Sequence, residues 1–192
     1  DCCCGMGDSI VLDPYDIYQM NKHLGVKFEE LLNHKISLHA EEGLILPNLK
    51  MQGKEDGCAF LNEKGRCTIH AFRPGFCRLF PLGRIYEDGS FSYYLQSQEC
   101  TKANRTKVKV NKWLGIPDLK QYENFVNEWH YFLKDTKALL LRLSDAQLNQ
   151  ELSMYLLNRF YTTAFDLEID FYKQFDERMI QMKKLIYTLG RQ

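Results

Sequence analysis

The chain has 192 residues, enough for one domain with a sizeable core or for a domain with a helical extension. Hydrophobic residues at 45% and charged residues at 26% exclude a disordered or collagen-like polymer. Its 25 Lys and Arg balance 25 Asp and Glu, which disfavours nucleic-acid binding through a basic excess. The apolar run Ala138 to Leu141 falls far short of the roughly 20 residues a membrane span needs, so no membrane partner is expected.

In chain order, Asp13-Pro14-Tyr15-Asp16 opens a helix, with Asp13 as N-cap and an acid in the first turn, and Gly25 stops it. A short helix is predicted from Lys27 to about His34. Residues 43–47 suggest a strand or hairpin arm. Gly57 to Leu61 reads as a strand that turns at 62–65 and returns through Arg66 to Ile69, bringing Cys58 and Cys67 together across a hairpin. Arg73-Pro74-Gly75 breaks the chain before Phe76-Cys77-Arg78, and Asp88-Gly89 predicts a second hairpin joining 83–86 to 91–96.

Beyond Cys100 the pattern turns helical. The locally basic stretch from Arg105 to Lys112 is best read as a solvated helix face. A long helix starts after Pro117-Asp118, with Tyr122, Phe125, Trp129 and Phe132 on one core-facing stripe. Ser144 with Gln147 predicts a capping box for a further helix, and the apolar spacing resumes from Phe165 to Ile186. The fold class expected is α+β: a cysteine-rich half, residues 1–115, with short hairpins and helices, then long C-terminal helices, residues 116–192, packing on it.

The seven cysteines, Cys2, Cys3, Cys4, Cys58, Cys67, Cys77 and Cys100, all lie in the first hundred residues. Three in a row are a poor way to fill a core, and an odd count with a vicinal triad argues against a disulfide framework. A metal site takes most of the weight. No C-x2-C pair of the usual structural zinc kind is present, and a single four-coordinate zinc leaves thiols over, so the count favours more than one metal atom.

Several segments together resemble the bacterial cysteine-cluster family known as YkgJ-like, or zinc- or iron-chelating CxxCxxCC, proteins. They are Asp1-Cys2-Cys3, Pro14-Tyr15-Asp16-Ile17, Cys58-Ala59-Phe60-Leu61, Gly65-Arg66-Cys67-Thr68-Ile69-His70 and Arg73-Pro74-Gly75-Phe76-Cys77-Arg78-Leu79-Phe80-Pro81. Cys100 resembles a further ligand seen downstream in much of the family. The first two cysteines of the family's opening element would lie upstream of Asp1, and restoring them would give two four-thiolate sites. The resemblance implies a cytoplasmic metal-binding protein with Cys2, Cys3, Cys58, Cys67, Cys77 and Cys100 as ligands. It points to one or two iron–sulfur clusters, with a zinc module docking a protein partner through the C-terminal helices as the alternative. Flagellin lysine N-methylases carry a distantly similar cluster, which adds an S-adenosylmethionine-linked methyltransferase as a further option. Cys4 is an extra ligand or a bystander, and His70 a ligand or a packed residue. The neighbouring Arg66, Arg73, Arg78 and Arg84 either offset cluster charge or, for Arg73 and Arg78, pair with carboxylates to hold the Arg-Pro turn.

Overall fold

Residues 3–98, 106–143 and 145–190 are described by a computed structural model. Helix α1 (Pro14–Leu24) begins as its sequence predicts. The Asp13 carboxylate accepts the Asp16 N–H at 2.8 Å, the Asp16 carboxylate accepts the Asp13 N–H at 3.1 Å, and Pro14 needs no partner at the first helical position. Gly25 ends the helix at φ 67°, a left-handed backbone that glycine adopts without strain. After α2 (Phe28–His34), strands β1 (Ile36–Glu41) and β2 (Leu44–Leu49) form an antiparallel hairpin with Ile36 opposite Leu49. The chain around residues 10–12 lines its free edge, with the Leu12 N–H on the Pro47 carbonyl at 2.8 Å. Covered in this way, β2 buries nearly every residue, which is why its sequence lacks a clear alternation.

Short strands β3 (Met51–Gln52) and β4 (Gly57–Cys58) follow, then a 3₁₀ turn at His70–Phe72 and helix α3 (Gly75–Leu79). The expected hairpin between 57–61 and 66–69 forms at its closed end, where the Asn62 N–H donates to the Arg66 carbonyl at 3.0 Å, but it does not extend to Cys58. Cys58 pairs with Met51, because the chain turns at once and the Leu61 N–H returns to the Cys58 carbonyl at 2.9 Å; Leu61 then faces Cys67. Strands β5 (Leu82–Glu87) and β6 (Ser90–Leu95) form the second hairpin, with Asp88 and Gly89 both at positive φ in its turn.

Of the solvated helix face expected from Arg105 to Lys112, only the end is helical: α4 is Val110–Leu114, residues 106–109 lead into it irregularly, Lys107, Lys109 and Lys112 are exposed, and Arg105 lies outside the described residues. The long helices are α5 (Leu119–Arg142), α6 (Ala146–Leu157) and α7 (Phe171–Leu189), with a π-helical turn at Asn158–Thr162 after α6. The cap of α6 is Asp145, which accepts from the Gln147 and Leu148 N–H groups; Ser144, read as the cap from sequence, lies outside the described residues. Tyr122, Phe125, Trp129 and Phe132 of α5 are all buried, among Phe160, Tyr161, Phe171 and Phe175. Ring centroids stand 4.7 Å apart for Phe125–Phe175 and 4.8 Å for Trp129–Phe160, both edge-to-face. Each such ring, fully buried, stabilises the fold by about 1.5–3 kcal/mol. The same apolar cluster runs on through Leu12, Ile17, Leu44, Cys58 and Phe60, so hairpins and helices share one core. Among the described residues no helix is long and apolar enough to cross a membrane.

Candidate metal centre

Three cysteines arrive on neighbouring stretches of backbone. The Cys58 N–H donates to the Cys3 carbonyl at 2.8 Å and the Gly5 N–H to the Asp56 carbonyl at 2.9 Å, so residues 3–5 run antiparallel to 56–58. On the other side of the Cys58–Leu61 turn, the Thr68 N–H reaches the Phe60 carbonyl at 2.9 Å and holds Cys67 against Leu61. Cys77 comes from α3, whose first residue is anchored from far away in sequence. The buried Asp16 carboxylate accepts the Gly75 N–H at 2.8 Å, using the oxygen its own helix cap leaves over.

The sulfur atoms lie in one another's electrostatic field. Burial pushes the Cys77 thiol far up from its ordinary value, followed by the nearby Asp16 charge and then by Cys3, Cys58 and Cys67. Burial likewise raises Cys58, with Cys67 and Cys4 adding smaller repulsions, while the Phe60 N–H directed at its sulfur opposes them. Cys58 is buried, and Cys3, Cys67 and Cys77 pack half-buried on the same apolar cluster. Cys58, Cys67, Cys77 and the exposed Cys4 are free thiols. Among the described residues no three His, Cys, Asp or Glu side chains form a finished cage for an ion. Cys2 and Cys100, the other two expected ligands, lie outside the described residues.

A donor set of thiols alone, in apolar surroundings that penalise bare thiolates, suits the thiophilic metals, zinc and iron in clusters above all, and does not suit magnesium or calcium. His70 stands apart from this set. It is exposed, its Nε2 lies against the Arg73 guanidinium, and Arg73 is the first cause of its lowered pKa. Of the other histidines, His23 stacks on Phe72, His39 faces Asp8 and His130 stacks on Tyr86.

The arginines are used differently from either expectation. Arg78 fixes the Arg-Pro turn through carbonyl oxygens, donating to Arg73 at 3.1 Å, Ala71 at 2.5 Å and Leu114 at 3.4 Å. Arg84 is enclosed by rings, its guanidinium carbon 5.3 Å from the centre of Phe91, 5.9 Å from Tyr93 and 5.7 Å from Tyr122. Among the described residues no ion pair with a carboxylate forms at Arg73, Arg78 or Arg84.

Two residues that organise the centre were hidden from sequence reasoning. Asp16 reads as an ordinary first-turn acid, and only the Pro14-Tyr15-Asp16-Ile17 element of the family resemblance hints at more. Tyr122 reads as core, yet its hydroxyl sits where a side chain on Gly75 would have to go, so the turn before Cys77 is closed by a residue of α5.

No curated protein and no solved structure matches the chain. A family model described as "Putative zinc- or iron-chelating domain", CxxCxxCC, matches residues 1–112, the stretch that carries every cysteine. The chain therefore belongs to the CxxCxxCC family of zinc- or iron-chelating domains.

Proposed function

We propose that this zinc- or iron-chelating domain holds an iron–sulfur or other polynuclear iron centre through Cys2, Cys3, Cys58, Cys67, Cys77 and Cys100, in a cytoplasmic setting that keeps thiols reduced. The observation that carries the reading is the arrival of Cys3, Cys58, Cys67 and Cys77, from separate segments, on one apolar cluster where the first three each push the Cys77 thiol up. Six thiols exceed what one tetrahedral zinc uses. When bound, iron would supply reversible electron transfer. The chain's own residues set the terms: burial raises the Cys58 and Cys77 thiols, the Phe60 N–H stabilises charge on Cys58, and Asp16 holds the turn that presents Cys77.

A zinc module is the second reading, favoured by the fact that Cys77 is pushed up by Cys3, Cys58 and Cys67, which with it make the four thiols one tetrahedral ion takes. Its C-terminal helices would then serve a protein partner. Anaerobic purification followed by metal and acid-labile sulfide analysis separates the two. Iron with sulfide and broad visible absorption supports the cluster; colourless protein with stoichiometric zinc supports the module. Protein that takes up neither metal in reducing buffer overturns both.

A further inference from the structure

A cavity of about 320 Å³ opens beside the Arg-Pro turn, between α1, the 3₁₀ turn and the loop at Gly115–Pro117. Gly75 and Arg78, on either side of Cys77, line it, but Cys77 does not. Its polar wall carries donors without acceptors. Arg73 Nε is buried and has no hydrogen-bond partner among the described residues, and the buried Tyr122 hydroxyl, which faces the Arg84 guanidinium, has no acceptor among them; buried donors of this kind are rare in folded proteins. Arg73 and Arg78 lie in each other's field and, among the described residues, have no carboxylate in ion-pair contact. The facing wall is apolar, built from Phe72, Ile116 and Pro117.

We propose that this cavity binds a small organic carboxylate, its oxygens on Arg73, Arg78 and Tyr122 and its apolar body against Phe72, Ile116 and Pro117. Guanidinium and phenol donors converging at one end of a mixed cavity fit a planar carboxylate with an apolar body. Asp16 also lines the cavity, with both carboxylate oxygens occupied by the Gly75 and Asp13 N–H groups. Its presence favours a singly charged ligand over a phosphate. The site is separate from the thiols, so binding holds whichever metal the cysteines take.

The test is calorimetric titration of the full chain with benzoate, benzamide and inorganic phosphate. Benzoate is expected to bind at one site, and benzamide and phosphate at least tenfold more weakly. Arg73→Gln and Ile116→Trp are each expected to weaken benzoate at least tenfold, the second by filling the cavity with every charge retained. Circular dichroism checks that both variants are folded, and Ile116→Trp serves alone if Arg73→Gln does not fold. No benzoate binding, equal binding of benzamide or phosphate, or unchanged benzoate binding in Ile116→Trp would each overturn the proposal.

Discussion

One carboxylate serves two helices. Asp16 closes the cap of α1 with one oxygen and holds the start of α3 with the other, so an amide in its place satisfies only one of the two N–H groups. Asp16→Asn is expected to destabilise the protein by about 1–3 kcal/mol in urea unfolding, the range for a buried group left unpaired. Burial raises the Asp16 pKa from 3.8 to about 6. The folded state then binds more protons than the unfolded one between those values, so this group's contribution to stability falls as pH rises from about 4 to 6. The difference in stability between the parent and Asp16→Asn should show that slope, and a flat difference would contradict it. At the thiols, Cys77→Ser is expected to lose most bound metal and on the order of 3 kcal/mol of stability, whereas Cys4→Ser keeps its metal, as elemental analysis and thermal melts would show. Cys58, Cys67 and Cys77 were legible because their spacing sits in a multi-part motif. The second duty of Asp16 was not, because its partner Gly75 is 59 residues away and contributes only a backbone N–H.

Helices and hairpins were legible wherever a local signal sets them: Asp13-Pro14 for α1, Asp88-Gly89 for the β5–β6 turn, and the aromatic stripe for α5. The pairing of Cys58 was misread because a strand two residues long carries no periodicity, and the partner that won, Met51, is polar-flanked and inconspicuous. Contacts between elements are equally silent in sequence. Arg178 of α7 donates to the carbonyls of Arg159, Thr163 and Ala164 at 2.7–2.8 Å and lies over the Phe165 ring, pinning the segment between α6 and α7. Arg178→Met keeps the bulk but loses these bonds, and is expected to lower stability by about 2–4 kcal/mol in urea unfolding. Gly75 and Tyr122 form a second such pair. A Cβ on Gly75 overlaps the Tyr122 hydroxyl and stands 3.3 Å from the ring carbon that bears it. Gly75→Ala should therefore cost about 1–3 kcal/mol, and Tyr122→Phe should recover part of that loss in the double variant, giving a non-additive cycle.

Across the whole molecule, the β1–β2 hairpin with its edge and the C-terminal helical region are tied by bonds between residues distant in sequence. The Tyr161 hydroxyl donates to the Leu12 carbonyl at 2.9 Å and the Ile45 N–H donates to the Ser153 hydroxyl at 2.8 Å. The helices hold most of the aromatic core, whereas the segment from Met51 to Phe80 has little regular structure. Removing metal with a chelator is expected to speed amide exchange in 51–80 while α5 and α7 stay protected, measured by hydrogen–deuterium exchange. Uniform loss of protection would contradict it.

The hydroxyl of Tyr122 over Gly75 also bears on the order in which the protein is made. All seven cysteines precede α5 in the chain, yet the corner presenting Cys77 stays open on one side until that helix arrives. A fragment ending at residue 115 would carry all seven of these cysteines and still lack the wall that closes the turn before Cys77.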